Sequence, residues 1–278
     1  MSKTFQQVTS NENTLLVVDA INLGFRWKHS GATEFCDDYI KTVESLRRSY
    51  RASHVIIACD RGASSYRKGI YPEYKQNRRD KQLQQTPAEK EAFEVFFREF
   101  ENTMSTIEVE GKYPLLRFQG VEADDVCAYI CQQVKDRPIW LVSSDKDYDL
   151  LVNKHVSRFS YVTRKETTID NWHDHYDFEP EDYISIKCLM GDSGDNVPGV
   201  PGIGPKRAAT LVAEYGSTYD IIASIPLSGK YKYIEALNQH RDQLLLNYQL
   251  MDLVSFCSEA LGPENCQKIN QALAAYLQ

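Results

Sequence analysis

Three short apolar segments, each followed by aspartate, constrain the fold of this chain more than any other feature. Each has four or five consecutive apolar residues, which is typical of a strand buried on both faces of a parallel sheet. They are residues 15–18 before Asp19, residues 55–59 before Asp60, and residues 138–142 before Asp145 and Asp147. Segments with helical spacing lie between them. The sequence therefore predicts an α/β fold with a central, mainly parallel, twisted sheet flanked by helices.

Two further elements are predicted between the second and third apolar segments. Thr86 followed by Pro87 is typical of a helix start, with proline at the first helical position. The apolar spacing extends this helix to about Met104. Residues 115–118 are then expected to form another strand, and the last third of the chain is expected to be helical.

A second acidic feature lies at residues 120–125, where Glu122, Asp124 and Asp125 precede an apolar pattern with helical spacing. These acids would occupy the first turn of a helix, whose dipole favours negative charge. A capping role explains one or two acids there, and one aspartate after a strand is commonly a turn residue. The carboxyl ends of parallel strands share one edge of a sheet, however, so we expect the acids of both features to meet.

Asp192 and Asp195, in the segment 191–196, bring the number of carboxylates that could share this crevice to nine. Like charges this close raise each other's pKa and destabilise the fold unless cations are present. Oxygen ligands without His or Cys favour Mg²⁺ or Mn²⁺ over zinc. Two such ions about 4 Å apart are the usual arrangement for phosphoryl-transfer hydrolysis. The sequence therefore predicts a two-metal hydrolytic site.

Two other metal- or phosphate-binding motifs are excluded by residues at their key positions. The segment that begins at Asp145 resembles an EF-hand loop, but it has Leu150 in place of the required glycine and Val156 in place of the glutamate. Residues 199–206 resemble a P-loop, but Pro205 separates the glycine from the lysine and no buried strand precedes them.

The distribution of basic residues indicates a phosphate-bearing partner although the net charge is −7. Residues 61–81 hold seven basic and two acidic side chains, a local charge of +5. Residues 199–207 fit a hairpin between two helices, whose glycines let backbone N–H groups approach phosphates. The glycines and the basic pair that follows them are Gly199, Gly202, Gly204, Lys206 and Arg207. A plain interhelical turn is the alternative, but the trailing basic pair favours contact with a DNA backbone.

Composition excludes several other classes of protein. The first 14 residues have no apolar segment of the kind found in signal peptides, and no apolar run approaches bilayer length. The seven cysteines are scattered and include no Cys-x-x-Cys pair, which argues against disulfides and structural zinc. We therefore expect a cytoplasmic protein with reduced thiols and no membrane partner.

Five spaced motifs resemble those of the bacteriophage 5′-nucleases, that is, the flap endonuclease and 5′→3′ exonuclease family. They occur in that family's order and are similar to motifs in the 5′-nuclease domain of bacterial DNA polymerase I. The motifs are residues 18–26 (VDAINLGFR), 72–78 (PEYKQNR), 120–125 (GVEADD), 144–147 (SDKD) and 190–196 (MGDSGDN). One departure is Ala20, where phage relatives have glycine, and it affects no ligand.

The resemblance implies roles for individual residues. It implies metal ligation, directly or through water, by Asp19, Asp60, Glu122, Asp124, Asp125, Asp145, Asp147, Asp192 and Asp195. Lys75 matches the lysine that contacts the scissile phosphate, Arg78 matches a nearby phosphate-binding arginine, and Arg79 is expected to bind substrate beside it. Asp124 and Asp145 are the acids expected to matter most for catalysis. Tyr74 is expected to stack on an unpaired base.

The resemblance also implies an organisation of the whole chain. Residues 1–185 would form an α/β nuclease core that includes the basic segment and a helical arch, at about residues 61–112. Within it, residues 80–112 would enclose a single-stranded 5′ end. Residues 186–278 would form a helical DNA-binding region with a helix-hairpin-helix at Gly199 to Gly204, an element that often holds a monovalent cation such as K⁺.

The expected activity is that of a monomeric, Mg²⁺-dependent, structure-specific nuclease, acting in DNA replication and repair in the cytoplasm of a bacterial host. It would cut DNA at 5′ flaps and 5′ ends. One alternative is a metal-dependent ribonuclease that uses the same acidic crevice. Another is a non-catalytic binder of branched DNA, which the presence of every motif acid disfavours.

Overall fold

A six-stranded sheet forms the centre of the protein, in a computed structural model that describes residues 13–278. The strand order is β3-β2-β1-β4-β5-β6, and every neighbouring pair is parallel except β5 and β6. The strands are β1 Thr14–Asp19, β2 Ala52–Ala58, β3 Leu115–Leu116, β4 Ile139–Val142, β5 Val156–Ser160 and β6 Lys165–Thr167. The prediction of a mainly parallel sheet is therefore confirmed.

Thirteen α-helices are present among residues 13–278. They are α1 Ala20–Ser30, α2 Cys36–Ser49, α3 Ser65–Ile70, α4 Gln76–Leu83, α5 Pro87–Glu110, α6 Ala123–Gln133, α7 Tyr183–Met190, α8 Pro205–Tyr215, α9 Thr218–Ser224, α10 Lys232–Gln239, α11 Arg241–Met251, α12 Leu253–Leu261 and α13 Pro263–Tyr276. Short 3₁₀ helices span Lys146–Leu151, Ile169–Asp174 and Pro180–Asp182, and a two-stranded ribbon joins β7 Gly191–Asp192 to β8 Val197–Pro198.

Helices cover both faces of the sheet because successive side chains of each strand point to opposite faces. Leu16 and Val18 of β1 belong to a core shared with α1, α2 and α5. Leu15 and Val17 belong to a second core shared with α6, α12 and α13. All four side chains are fully buried, which is why residues 15–18 are all apolar.

The C-terminal third is helical, as predicted, and it contributes to two cores. Helices α7, α8, α9, α10 and α11 surround a separate core that includes Leu211, Leu237 and Leu244. Helix α12 instead returns to pack on α6, and its Leu253 and Cys257 join the core of the sheet. The last two helices, α12 and α13, therefore pack against α6, the helix that begins with the acidic segment.

The structure corrects the lengths of three predicted elements. Helix α5 does not end near Met104 but continues to Glu110, where Gly111 caps it in a left-handed conformation. Its extra turn is stabilised by burial of Ile107 against the sheet. The strand predicted at residues 115–118 shrinks to two residues, and the basic segment, which has no apolar period, folds into the short helices α3 and α4.

The predicted arch, residues 80–112, is only partly a projecting structure. Residues 78–84 and the first turns of α5 are almost entirely exposed. Phe96, Phe100, Met104 and Ile107 are buried instead, in the core formed with α1 and α2. The second half of the predicted arch is therefore part of the core. Among the described residues, no helix is long and apolar enough to cross a membrane.

Candidate active site

The first three acids of the site are positioned at strand ends, as expected. Asp19 ends β1 and caps α1, accepting a hydrogen bond from the backbone N–H of Asn22 at 3.1 Å. Asp60 follows β2 and accepts from the backbone N–H of Ala123 at 2.6 Å, so it ties β2 to the start of α6. Asp145 follows β4 and caps the 3₁₀ helix at Lys146–Leu151. Strand β1 lies between β2 and β4, so the acids meet where the strand order reverses.

Ser143 links the loop after β4 to β1. Its hydroxyl donates to Asp19 at 3.0 Å and accepts from the backbone N–H of Asp145 at 3.2 Å. Asn22 makes a second link, because its side-chain oxygen accepts from the backbone N–H of Ser144 at 2.7 Å. These bonds hold the two aspartates in one arrangement without using all of their carboxylate oxygens.

Eight of the nine predicted ligands line a single cavity of about 280 Å³. They are Asp19, Asp60, Glu122, Asp124, Asp145, Asp147, Asp192 and Asp195, and Lys75 and Arg78 line the same cavity. Oxygens of Asp147, Asp192 and Asp195 lie within 4.8 Å of one another. The structure therefore brings together acids from five separate parts of the chain.

Burial and repulsion between carboxylates raise the pKa of four of these acids when no cation is bound. Burial raises the pKa of Asp19 to about 7, and the nearby Asp60 and Asp145 add to the effect. Burial likewise raises the pKa of Asp60 and of Asp124, and raises that of Asp147 to about 6. Oxygen donors that lack compensating charge fit hard divalent cations, so the residues present fit the predicted metal centre.

Seven of the eight carboxylates fall into two groups that differ in their partners, and the eighth, Glu122, pairs with Lys75 at 2.8 Å and with Arg67 at 3.3 Å. Asp19, Asp60, Asp124 and Asp145 form no ion pair with any residue from 13 to 278. Asp147 and Asp192 face the ammonium of Lys187, and Asp195 pairs with Arg78 at 2.5 Å and with Lys75 at 3.7 Å. We call the first set the unpaired group and Asp147, Asp192 and Asp195 the paired group.

Lys75 and Arg78 lie at the cavity, as predicted for groups that contact a phosphate. Lys75 donates to Glu122 at 2.8 Å and adopts a left-handed backbone conformation (φ 55°) before α4. Arg78 is 59% exposed and reaches Asp195 from α4, and the neighbouring Arg79 is also exposed. The chain from Lys75 to Arg78 is anchored on the loop after β7, since the backbone N–H of Lys75 donates to the carbonyl of Asp195 at 2.8 Å.

The glycine hairpin leads into α8, as predicted. Val200 and Ile203 are buried and anchor the turn, whereas Gly202, Gly204, Lys206 and Arg207 are exposed. Gly202 has a positive φ of 81° and Gly204 caps α8, with open space around it. The guanidinium of Arg207 bonds the carbonyl of Gly202 and lies 4.8 Å from the ring centre of Tyr233.

Gly199 has a different reason to be glycine. An added Cβ there would lie 2.0 Å from the carbonyl oxygen of Met190, so the residue allows close packing of the hairpin against the end of α7. The packing explains why position 199 is glycine, and its expected role in binding phosphate stays a prediction.

Family models for two consecutive domains match the chain. The 5′-3′ exonuclease N-terminal resolvase-like domain matches residues 14–177, and the 5′-3′ exonuclease C-terminal SAM fold matches residues 178–272. The chain belongs to the 5′-3′ exonuclease family. The family suggested by the five motifs is therefore confirmed.

Several relatives of this 5′-3′ exonuclease family member are similar over most of the chain. The flap endonuclease of Escherichia phage T5 is 40% identical over 257 residues, covering 91% of this chain and 88% of that protein. DNA polymerase I of Pseudomonas aeruginosa is 31% identical over 215 residues, which are 74% of this chain and 22% of the polymerase.

Solved structures of the phage T5 enzyme superpose closely on this member of the family. The T5 5′-exonuclease with bound zinc matches with a TM-score of 0.90 at 38% identity, covering 96% of this chain and 100% of that one. A T5 flap endonuclease pseudo-enzyme–product complex with DNA and metal ions also matches at a TM-score of 0.90 and 38% identity, covering 95% and 99% of the two chains.

Tyr74 does not occupy the position expected of it in this 5′-3′ exonuclease family member. Its side chain is 2% exposed, and its hydroxyl lies 3.0 Å from an oxygen of each of Glu122 and Asp195 and can donate its proton to either one. A buried ring cannot stack on a base, so that prediction is corrected. Tyr74 instead holds two site carboxylates from behind.

Asp125 also lies behind the cavity rather than in it. Its side chain is fully buried, and its two oxygens accept from the guanidinium of Arg67 at 2.6 and 2.8 Å. Arg67 also donates to Glu122 at 3.3 Å and to the carbonyl of Leu250 at 2.8 Å. Carboxylate oxygens of Asp125, Glu122 and Asp124 lie within 4.8 Å of one another, close enough to share an ion. Metal binding by Asp125 would, however, break one of its hydrogen bonds with Arg67. This geometry favours a role as partner of Arg67, and the ligand role implied by the family resemblance stays a prediction.

A double substitution distinguishes these two roles of Asp125. We expect Arg67→Met to lower the free energy of unfolding by about 3–5 kcal/mol, because it leaves a buried carboxylate unpaired. Arg67→Met combined with Asp125→Leu should recover most of this loss and retain the affinity for Mn²⁺. Urea unfolding and calorimetric titration with Mn²⁺ measure both quantities. Loss of Mn²⁺ binding in a stably folded double variant would restore Asp125 to the ligand set.

Three buried charged residues near the site were missed by sequence reasoning. Arg67 and Lys187 are described above, and Arg158 pairs with Asp149 while donating to the carbonyl of Ser143 at 3.1 Å. Asp149, to which the sequence assigned no role, thereby fixes the loop that carries Asp145. Lys187 could have been found from the sequence, because it is a single lysine in the otherwise mostly apolar helix α7.

Proposed function

We propose that this protein is a divalent-metal-dependent, structure-specific 5′ nuclease that hydrolyses DNA at 5′ flaps and 5′ ends during replication and repair. The observation that carries the proposal is the cavity that holds eight carboxylates together with Lys75 and Arg78. Mixed acidic and basic groups of this kind suit a site that binds both metal ions and a phosphodiester. The phage T5 flap endonuclease, which is 40% identical, is the relative that supports this activity.

The residues of the chain suggest a division of labour. The carboxylates would hold two Mg²⁺ ions, with Mn²⁺ as a substitute, and the ions would supply Lewis-acid activation of water and of the phosphate. Lys75 and Arg78 would bind the non-bridging phosphate oxygens and stabilise charge that develops on them. Hydrogen bonds from Ser143 and to Asn22 would keep the carboxylates of Asp19 and Asp145 in fixed positions relative to each other during the reaction. The products would carry a 5′-phosphate.

DNA would contact two exposed surfaces. The hairpin at Gly202 and Gly204, with Lys206, would bind the backbone of the duplex, and a K⁺ ion is proposed to sit there. The exposed helix α4 and the start of α5 would lie along the single-stranded 5′ end, with Arg79 contributing charge. We propose that the protein acts as a cytoplasmic monomer.

Cleavage of a labelled 5′ flap, with and without Mg²⁺, tests the proposal. We expect cleavage near the junction of single strand and duplex in Mg²⁺, and none in EDTA. An RNA flap of the same sequence tests the ribonuclease alternative, which preferential cleavage of RNA would favour. Flap binding without cleavage in either ion condition would favour a non-catalytic binder of branched DNA.

The hairpin proposal makes a prediction about salt. Removing one phosphate contact lowers the slope of log affinity against log salt by about 1. We expect Lys206→Gln to weaken duplex binding and to reduce this slope, as measured by fluorescence anisotropy over a range of salt. Lys268→Gln on α13, which removes a lysine paired with Glu264 on the surface, is the matched control and should change neither. An unchanged slope for Lys206→Gln would place the duplex elsewhere.

A further inference from the structure

Lys187 is a charged side chain buried at one end of the cavity. It lies on α7, between Ile186 and Cys188, and is 8% exposed. Its ammonium donates to Asp147 and lies 3.5 Å from Asp192. The ammonium of Lys187 therefore lies close to the position in which Asp147 and Asp192 would hold a metal ion.

The charges of the two carboxylate groups are balanced differently. In the paired group, Asp147 and Asp192 face Lys187, and Asp195 faces Arg78 and, at 3.7 Å, Lys75, whose nearer partner is Glu122 at 2.8 Å. The four acids of the unpaired group have no such partner among residues 13–278. A divalent ion that enters the unpaired group meets carboxylates that form no ion pair, although Lys75 acts on Asp60 and Asp124 at longer range. One that enters the paired group must compete with ammonium and guanidinium groups already in place.

We propose that Lys187 is a built-in competitor for the second metal ion. Its ammonium neutralises Asp147 and Asp192 until an ion binds, so the unpaired group fills first and the paired group binds its ion more weakly. The inference rests on the proposed metal dependence and deepens it, because it apportions the acids between two ions. Lys187 is a positioning residue here, since it acts through Asp147 and Asp192.

Arg78 and Lys75 are affected by the same competition. Both contact Asp195 in the absence of metal, and both are the groups proposed to bind the phosphate. An ion that binds Asp195 weakens these ion pairs and frees the two side chains for substrate. Occupation of the paired group and availability of the phosphate-binding residues are therefore linked.

Titration of the DNA-free protein with Mn²⁺ tests the proposal without any cleavage assay. Wild type should show one tight and one weak class of sites by calorimetry or electron paramagnetic resonance. Lys187→Met removes the ammonium but keeps most of the aliphatic side chain. It should raise the Mn²⁺ affinity of the weak class by about tenfold or more, which is within the usual range of coupling between two sites. The tight class should be unchanged. Lys187→Arg retains a cation, so the Mn²⁺ affinity of the weak class should stay close to that of wild type.

Lys146→Met is the matched control. Lys146 is an exposed residue between Asp145 and Asp147 and makes no ion pair with a described residue, so its replacement removes the same charge without removing a contact. The proposal is overturned if Lys187→Met leaves the weak class unchanged, weakens it, or changes it no more than Lys146→Met does. If Lys187→Met does not fold without metal, Lys187→Gln replaces it, with the same expected tightening.

The outcome is separable from that of the proposed function. Failure of flap cleavage by the wild-type protein would refute the nuclease proposal while leaving the Mn²⁺ isotherms interpretable. An unchanged isotherm for Lys187→Met, together with normal cleavage by wild type, would refute only the competition.

Discussion

Asp145→Asn and Asp124→Asn are each expected to lower the rate of flap cleavage by at least about 1,000-fold, or roughly 4 kcal/mol of transition-state stabilisation. Both residues line the cavity and belong to the group of acids without a cation partner. Replacing either carboxylate with an amide removes a full negative charge from the ligand set. The bound ions would then be lost or misplaced, and the activation of water that depends on them would be lost as well.

The fold is expected to survive both substitutions. Asp145 accepts a hydrogen bond from the backbone N–H of Asp147, and Asp124 accepts one from that of Asp125. An asparagine oxygen can accept the same bonds, so each of these hydrogen bonds is retained. Binding of the flap should therefore remain close to that of wild type, because the basic side chains and the hairpin are untouched.

Single-turnover cleavage in Mg²⁺ and anisotropy binding in Ca²⁺ separate the two effects. Asp37→Asn is the control, since Asp37 is an exposed acid in the first turn of α2 and lies outside the cavity. It should leave both quantities unchanged. Normal cleavage by both site variants in Mg²⁺ would contradict the metal assignment of these acids.

The acids of the site could be predicted because their positions follow from rules of short range. Asp19, Asp60 and Asp145 each follow a buried parallel strand, and such strands end at one edge of the sheet. The start of α6 was also predicted, since an apolar helical pattern follows Glu122. The strands and the helix that position most of the ligands could therefore be predicted from local sequence.

The residues behind the site could not be predicted from local sequence. Arg67 and Asp125 are 58 positions apart, and Lys187 and Asp147 are 40 apart, so only the packed structure pairs them. Tyr74 lies among basic residues in the sequence, which suggested exposure, yet its ring is buried. Gly199 fits a phosphate-binding pattern, but the approach of Met190 is what excludes a side chain there.

The metal-free protein is expected to lose stability as pH rises from about 4 to 7. Burial raises the pKa of Asp19 to about 7 from its ordinary value of 3.8. Between these two values the folded state holds a proton that the unfolded state has released, so the free energy of unfolding falls as pH increases and the loss is complete above 7. At about 1.4 kcal/mol per pKa unit, Asp19 alone accounts for roughly 4 kcal/mol. Asp147, whose pKa is raised to about 6, acts in the same direction.

Divalent cations should remove most of this loss, because they bind the ionised carboxylates of the folded state only. Thermal unfolding in EDTA should show a midpoint lower by roughly 10 °C at pH 8 than at pH 5, and Mg²⁺ should raise it much more at pH 8 than at pH 5. Asp19→Asn can accept the bond from the backbone N–H of Asn22 with its amide oxygen, and its NH2 group would donate to the Ser143 hydroxyl instead of accepting from it. This variant should flatten the pH dependence in EDTA. A midpoint in EDTA that stays constant or rises from pH 5 to pH 8 would contradict the raised pKa values. In that case the acids would already be ionised without metal, and their charge would be balanced by groups other than the predicted ions.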